Sequence, residues 1–184
     1  YGTFEENLNK NLIIEYINGK TRHFIKEMAF NNNDKLKCIF EILIVMKYLH
    51  DKELIYRDLR PNNIMIDQNK TSILIDYDRM VKYNNQIFLE EITKDFTDLF
   101  IAPEISSGET YSYKSDVYSL GILIYFILSE ERPENDEFEN IIIDKNIFSP
   151  GFKKLEEIVR QCILEPEKRP TISSILKTFV DYYF

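Results

Sequence analysis

Glycine is scarce in this chain of 184 residues, which has five, at positions 2, 19, 108, 121 and 151. Their spacing excludes a G-x-G-x-x-G loop, the backbone cradle that many nucleotide-binding proteins fold around phosphates. Cysteine is scarcer still: Cys38 and Cys162 are far apart, and each lies in an apolar helical pattern. We therefore expect two buried free thiols rather than a disulfide, as is typical of a reducing, intracellular compartment such as the cytoplasm.

Long hydrophobic runs and an excess of positive charge are also missing. The longest apolar run, Leu120 to Leu128, is far shorter than the ~20 residues that span a bilayer, so we expect no membrane insertion. The chain has 23 Lys and Arg against 31 Asp and Glu, a formal net charge of −8. Because phosphate backbones would repel such a chain, the composition argues against nucleic-acid binding.

The remaining composition, 44% hydrophobic and 29% charged residues, is that of one globular domain. The predicted strands are 11–17, 64–66 and 72–75, and the predicted helices are 34–50 with Asp34 as N-cap, 115–129, 153–164 and 172–182. Strands are expected only before residue 76, and helices dominate after residue 113. This pattern indicates an α+β domain with a mostly helical body.

Three polar residues are predicted to converge near one point. Asp58 lies in a loop after the first long helix, Asn63 follows it, and Asp76 ends a strand that is expected to pair back on that loop. Two carboxylates and an amide at one point suit a hard divalent cation and a hydroxyl nucleophile. Phosphoryl transfer needs this set, with a metal ion at the phosphates and a carboxylate at the hydroxyl.

Five short motifs occur in order along the chain. They are Tyr56-Arg57-Asp58-Leu59-Arg60-Pro61-Asn62-Asn63, Asp76-Tyr77-Asp78, Ala102-Pro103-Glu104, Asp116 with Gly121, and Arg169-Pro170. A single D-x-x-x-x-N is typical of a capped turn. The ordered set, however, resembles the catalytic loop, metal-binding Asp motif and A-P-E of the eukaryotic-type protein kinase catalytic domain. Arg60 and Pro61 make the loop similar to that of serine/threonine kinases.

The resemblance covers nearly the whole chain and implies a protein-kinase-like fold. Residues 1–18 would be the last N-lobe strands and the hinge, a remnant of the N-lobe β-sheet, and residues 19–184 a mostly helical C-lobe. The sequence begins at Tyr1 rather than Met, so we expect a partial kinase domain from a longer protein.

Catalytic roles follow from the resemblance residue by residue. Asp58 would accept or orient the hydroxyl proton, and Arg60 would contact the γ-phosphate, where the family has Lys. Asn63 and Asp76 would hold Mg²⁺. Asp58, Arg60 and Asn63 thus form the expected catalytic set, and ATP and Mg²⁺ are the expected cofactors.

Nucleotide-binding residues are implied at the hinge and beneath it. Ile14 falls at the gatekeeper position, Glu15 to Ile17 fall at the hinge that meets adenine, and Met65 would line the floor under adenine. Ile14 and Met65 are also expected to be core residues whether or not nucleotide binds.

Residues that regulate the enzyme or bind its substrate are implied in the same way. Arg57 would receive an activation-segment phosphate, for which Thr93 is a candidate, or would brace the loop. Thr97 matches the substrate-facing threonine of the family, or is an ordinary loop residue.

Three further residues of the substrate platform would be structural. Glu104 and Arg169 would form a buried ion pair. Asp116 would hold the backbone of the catalytic loop from within a buried helix.

Departures from the family pattern leave the activity open. Family kinases cover the phosphates with a Gly-rich loop and use a strand Lys paired to a helix Glu, and this sequence has neither part. Asp78 stands where the family usually has Gly. It could weaken switching of the segment, add a metal contact or point to solvent. We therefore expect the chain alone to be weakly active or inactive.

Three hypotheses follow. The first is a protein kinase that phosphorylates Ser/Thr hydroxyls of a protein substrate, which the three residues Asp58, Asn63 and Asp76 favour. The second is a pseudokinase acting as a binding or scaffold module, which Asp78 and the missing parts favour. The third, a small-molecule phosphotransferase, is disfavoured by the A-P-E and the later motifs, which build a platform for protein substrates. The sequence leaves the oligomeric state open.

Overall fold

The structure is a computed structural model that describes residues 2–6, 9–21, 24–83, 99–136 and 141–184; for the strands within 2–13 and for Phe24 it describes the backbone alone. The helices it describes are α1 (Phe24–Glu27), α2 (Asn32–Asp51), α3 (Pro103–Ser106), α4 (Tyr113–Ser129), α5 (Lys153–Cys162) and α6 (Ile172–Tyr183). The strands are β1 (Gly2–Glu6), β2 (Asn9–Ile13), β3 (Gly19–Lys20), β4 (Leu54–Ile55), β5 (Ile64–Asp67), β6 (Ser72–Leu74), β7 (Val81–Lys82), β8 (Glu134–Asn135) and β9 (Ile141–Ile142).

The start of α2 corrects one prediction. Asn31, not Asp34, is the N-cap: its side chain accepts the backbone N–H of Asp34 at 2.9 Å, and the Asp34 carboxylate accepts the backbone N–H of Asn31 at 3.0 Å. This reciprocal pair is a capping box, which satisfies two N–H groups that the first turn leaves unpaired. The helix therefore begins two residues earlier than its apolar pattern indicates.

The buried face of α2 packs against α4 and α6. Its buried apolar residues recur every three or four positions, as expected for one face of a helix; they are Cys38, Ile39, Ile42, Leu43, Met46 and Leu49. The amphipathic helices α5 and α6 close the body, close to their predicted positions.

The helix α4 is buried almost all round, as its sequence predicts. Every residue from Ser115 to Tyr125 is buried, and Ser112 caps the first turn. A Cβ atom at Gly121 would lie only 2.5 Å from the Cβ of Cys162, so glycine is what allows α4 and α5 to pack so closely. Cys38 and Cys162 are both buried free thiols, as predicted, and burial raises the pKa of each to about 12.

The strands pair in small antiparallel sheets: β1 pairs with β2, β5 pairs with both β3 and β6, β4 pairs with β7, and β8 pairs with β9. The predicted strand 11–17 is wrong in its second half, because β2 ends at Ile13. The prediction that strands occur only before residue 76 is also wrong, because β7, β8 and β9 follow it. Each of these is a two-residue ladder, too short to show an alternating pattern in the sequence.

In the described part of the chain, no helix is both long enough and apolar enough to cross a bilayer.

Candidate active site

One buried carboxylate fixes the loop that carries Asp58. Asp116, in the first turn of α4, accepts the backbone N–H groups of Tyr56 and Arg57, each at 2.8 Å. A ring nitrogen of His50, at the end of α2, lies 3.0 Å from the same carboxylate. Only 1% of Asp116 is exposed. Because α4 is buried, its Asp116 anchors the backbone on the N-terminal side of Asp58 to the core.

Asp58 and Asn63 are in direct contact. The side-chain amide of Asn63 donates to the backbone oxygen of Asp58 at 2.8 Å and to its carboxylate at 2.9 Å. A 3₁₀ turn over Pro61–Asn63 brings the two residues together. Asn63 is buried while Asp58 is half-buried, so one side of the carboxylate is held by the protein and the other side remains accessible.

Asp76 reaches the same region from β6. The backbone N–H of Ile75 donates to the backbone oxygen of Asn63 at 2.9 Å, and the Tyr56 hydroxyl donates to the backbone oxygen of Ile75. Asp76 itself has φ of 63°, in the left-handed region that Asp enters at less cost than most residues.

The carboxylates of Asp58 and Asp78 repel that of Asp76. Burial raises the pKa of Asp76 above its ordinary value, and a side-chain hydrogen bond to Asp78 and the negative charges of Asp78 and Asp58 raise it further. All three carboxylates therefore lie close enough to interact. Such a group favours a bound cation, because the cation would relieve their mutual repulsion.

The residues fit the Mg²⁺ that their pattern implies. Both hydrogen bonds of the Asn63 side chain described above use its nitrogen, so its amide oxygen is the atom that suits a hard cation, together with the carboxylate of Asp76. Among the residues that the structure describes, no three His, Cys, Asp or Glu side chains cluster as a metal site by themselves. The candidate site instead combines an amide oxygen with carboxylates.

Arg57 has an unsatisfied donor at the edge of the site. Its Nε is buried without a hydrogen-bond partner, and its guanidinium lies over the ring of Tyr111, 4.5 Å from the ring centroid. Burial lowers the pKa of Arg57, and the positive charge of Arg79 contributes to this shift. Two guanidinium groups and an orphaned N–H are suited to an anion.

Two further residues lie in this region, Arg79 and Tyr111, which none of the five motifs in the sequence includes. The Nε of Arg79 lies 3.8 Å from the Asp58 carboxylate, although much of the Arg79 side chain is exposed. Its position directly after Asp76-Tyr77-Asp78 was the available signal. Nothing in the local sequence pairs Tyr111 with Arg57.

The residues that the resemblance places at the hinge and beneath adenine differ in exposure. Ile14 is 69% exposed, so its predicted place in the core is wrong; it lies just beyond the end of β2, where the chain no longer pairs. Glu15 is exposed, and Ile17 and Met65 are half-buried. Met65 lies beside Gly19, where β3 meets β5.

Glu104 and Arg169 form the buried pair that their motifs imply. Two guanidinium nitrogens of Arg169 donate to the two carboxylate oxygens of Glu104, at 2.5 and 2.9 Å. Arg169 also donates to the backbone oxygens of Leu164 and Lys114, and its guanidinium lies 5.1 Å from the Tyr118 ring. The pair joins α3 to the segment between α5 and α6 and contacts α4.

Arg60 lines a cavity beside the catalytic loop, together with residues of α1 and the end of α4. Thr93 and Thr97, the two threonines of the activation segment singled out in the sequence, lie outside the described residues.

Comparison with known proteins gives one consistent result. The protein kinase domain profile matches residues 1–183 of the chain. The chain is 30% identical to an Aurora kinase of Debaryomyces hansenii, over 96% of the chain and 45% of that protein. It is 27% identical to the serine/threonine-protein kinase Nek5 of Homo sapiens, over 96% of the chain and 27% of that protein. It is 31% identical to the cAMP-dependent protein kinase type 3 of Saccharomyces cerevisiae, over 83% and 39%. The chain spans less than half the length of each of these relatives.

Proposed function

Because the chain belongs to the protein kinase domain family, we propose that the protein transfers the γ-phosphate of ATP to serine or threonine hydroxyls of protein substrates. The observation that carries this proposal is the contact between Asp58 and Asn63, held in place by Asp116. A scaffold has no chemical need for a half-buried carboxylate that is held in place by hydrogen bonds to the loop.

The accessible side of Asp58 defines its role. Its carboxylate would accept the proton of a substrate hydroxyl while that oxygen bonds to the γ-phosphorus and the bond to ADP breaks. The hydrogen bond from Asn63 orients the carboxylate, since it binds one of the two oxygens and leaves the other for the substrate. Arg60 supplies positive charge on the γ-phosphate side of the same loop.

Asn63 and Asp76 would hold Mg²⁺ through oxygen atoms. When bound, Mg²⁺ would neutralise the negative charge that develops on the phosphate oxygens. Asp76 would keep its carboxylate ionised beside the cation, and Asp58 would stay outside the inner ligand set. Asn63 would link the two, since its nitrogen donates to Asp58 and its oxygen would be free to bind the metal.

The remaining residues would bind nucleotide, phosphate and substrate. Residues 1–18 would form the last N-lobe strands and the hinge, with Ile14, Glu15 and Ile17 near adenine, and residues 19–184 would form the C-lobe, with Met65 on its floor.

Regulation would act through the orphaned donor of Arg57. That donor would receive a phosphate on Thr93, and Thr97 would face the substrate. Two buried free thiols accord with an intracellular, cytoplasmic location, which we propose as well.

The test is γ-phosphate transfer by the full-length protein that contains this chain. Asp58→Asn should lower kcat by about a hundredfold or more, with little change in Tm, because general-base removal costs roughly 10²–10⁴ in rate. Asp181→Asn, on the exposed face of α6, is the matched control and should keep full activity. Equal transfer by the wild type and Asp58→Asn would remove Asp58 from the mechanism.

A second candidate is a pseudokinase that binds partners without catalysis. The observation that favours it is Asp78, which stands where the family usually has Gly and whose carboxylate interacts with that of Asp76. A thermal-shift measurement with Mg-ATP distinguishes the two candidates. A rise in Tm of the full-length protein, with phosphate transfer, supports the enzyme, whereas no rise and no transfer support the scaffold.

A further inference from the structure

A cavity of about 340 Å³ opens beside the catalytic loop, and we call it the loop cavity. It is lined by Ile25 and Lys26 of α1, Arg60, Pro61 and Asn62 of the loop, Phe100, Phe126, and Glu130, Glu131 and Arg132 after α4. Its apolar part comes from Ile25, Phe100 and Phe126 together with Pro61. Its charged residues come from three separate segments of the chain.

The charges that line the loop cavity have an excess of positive sign. Lys26, Arg60 and Arg132 are cationic, and Glu130 and Glu131 are anionic. Glu130 is paired with the buried Lys35, whose nitrogen lies 3.2 Å from its carboxylate. The lining residues themselves therefore have three cations against two carboxylates, an excess of one positive charge.

This local balance opposes that of the whole chain, whose formal net charge is −8. A general preference for cationic partners would follow from the net charge alone. Within about one Debye length, ~8 Å at physiological salt, the local charges determine which side chain is attracted. The loop cavity is therefore suited to an anionic group on an otherwise repelling surface.

We propose that the loop cavity binds an acidic side chain, Asp or Glu, of the protein substrate, within a few residues of the hydroxyl that is phosphorylated. The inference rests on the proposed function, because it places the hydroxyl at Asp58. Arg60 follows Asp58 by two residues, so their Cα atoms lie within about 7 Å of each other. A substrate chain with its hydroxyl at Asp58 brings its neighbouring residues to this wall.

A carboxylate fits the loop cavity better than a phosphate group does. Arg132 presents a planar fork that matches a carboxylate, and Lys26 adds a second positive charge to the wall. Glu131 lies in the same wall and would repel a phosphate of nearly two negative charges more strongly than a single carboxylate. The stem of the acidic residue would lie on the apolar floor.

The first test measures peptide binding, which does not depend on catalysis. Fluorescent peptides that carry one serine are prepared with Glu, Gln, Lys or phosphoserine at the neighbouring positions, and their Kd for the protein is measured by fluorescence polarisation. The Glu peptide should bind at least about fivefold more tightly than the Gln peptide, and the Lys peptide should bind most weakly. The preference for Glu should shrink at 1 M salt, because screening weakens exposed charge pairs.

Charge reversal assigns the preference to this cavity. Lys26→Glu and Arg132→Glu should each reduce the ratio of Glu to Gln binding by about threefold or more, because attraction is replaced by repulsion. Lys177→Glu is the matched control, since Lys177 is exposed on α6 and away from the cavity, and it should leave the ratio unchanged. If a variant fails to fold, the comparison of peptides on the wild-type protein still decides the question.

Three results would overturn the inference. They are equal binding of the Glu and Gln peptides, tighter binding of the Lys peptide, and binding of the phosphoserine peptide more than about tenfold above Glu, which would indicate a phosphate site instead. Phosphate transfer to the same peptides separates this inference from the proposed function. Transfer without a preference for Glu contradicts only the loop cavity, and a binding preference without transfer contradicts only the kinase activity.

Discussion

Glu104 and Arg169 carry opposite charges, are almost fully buried, and use two guanidinium nitrogens and both carboxylate oxygens on each other. The carboxylates of Asp58 and Asp78 carry the same charge as that of Asp76, are more exposed than the ion pair, and contribute to raising the pKa of Asp76. Both groups lie in the same domain. In the first, every charge has its partner, whereas in the second the charges repel and Asp76 takes a left-handed backbone conformation.

The difference indicates what each group contributes. A pair that is complete within the protein stabilises one packing arrangement and leaves little for a ligand to bind. A set of like charges with a constrained backbone costs stability in the free protein and gains it when a cation binds. We therefore expect loss of a charge to destabilise the fold at the first group and to stabilise it at the second.

The largest effect is expected at the ion pair. Arg169→Ala should lower the free energy of unfolding by about 3–5 kcal/mol, because it leaves Glu104 buried and unpaired. Urea denaturation measures this change. The matched control is Arg160→Ala, which removes a half-exposed pair with Glu156 one helical turn away and should cost less than about 1 kcal/mol.

A double variant tests whether the loss comes from the unpaired carboxylate. Glu104→Gln together with Arg169→Met should be less destabilised than the sum of the two single variants, since no buried charge is left without its partner. Additive losses would mean that the pair stabilises the fold through its packing alone. The contrast between this ion pair and the carboxylates around Asp76 would then not be one of charge.

The next effect is expected at Asp116, a satisfied charge that supports the site. Asp116→Asn replaces one of two accepting oxygens by a donor, so the backbone N–H of Tyr56 or Arg57 loses its partner at a cost of about 2 kcal/mol. Hydrogen exchange of these two amides should quicken more than that of amides in α6. Unchanged exchange at both amides would show that the loop is held by other contacts.

The fold class and the family could be predicted from the sequence because each motif lies within one short stretch of chain. The motifs also follow one another at fixed spacings. Asp116 stands in the first turn of an all-round apolar helix, and Gly121 follows where that helix meets α5. Both the apolar periodicity and the motif can be read from one stretch of chain. The Glu104 and Arg169 contact could be predicted only through the family, since 65 positions separate them.

What the sequence could not predict depends on which of several equivalent residues the tertiary structure uses. Asn31, Asn32, Asn33 and Asp34 can all cap a helix, and only the reciprocal hydrogen bonds select Asn31. Ile14 is apolar and was expected inside, but burial requires a packing partner that its position beyond β2 does not provide. The approach of Arg79 to Asp58 depends on how the chain turns after Asp76.

A smaller effect is expected at Asp34, which belongs with the satisfied charges. A hydrogen bond from Lys70 and one from the backbone of Asn31 lower the pKa of Asp34. A lowered pKa in the folded state adds stability above the unfolded pKa of about 4, and that stability is lost as the pH falls through the folded value. Asp34→Asn should therefore cost about 1 kcal/mol at pH 7 and close to nothing at about pH 2.

The control for Asp34 is Asp51→Asn. Asp51 pairs with Lys47 on the exposed side of α2, and its loss should cost no more than about 0.5 kcal/mol at any pH. An equal loss at Asp34 and Asp51 would mean that the capping box and Lys70 contribute nothing beyond an ordinary surface pair.

The smallest effect has the opposite sign and tests the comparison most directly. Asp78→Asn removes one of the like charges around Asp76, so the free protein should gain about 0.5 kcal/mol at pH 7. Because the pKa of Asp76 is raised in the folded state, the wild type loses stability as the pH rises through that value, and the variant should lose less. Urea denaturation in EDTA between pH 4 and 8 measures both the difference in free energy of unfolding at pH 7 and its change with pH in the two proteins. A loss of stability in Asp78→Asn would contradict the repulsion inferred here, because it would mean that Asp78 holds Asp76 in place chiefly by hydrogen bonding.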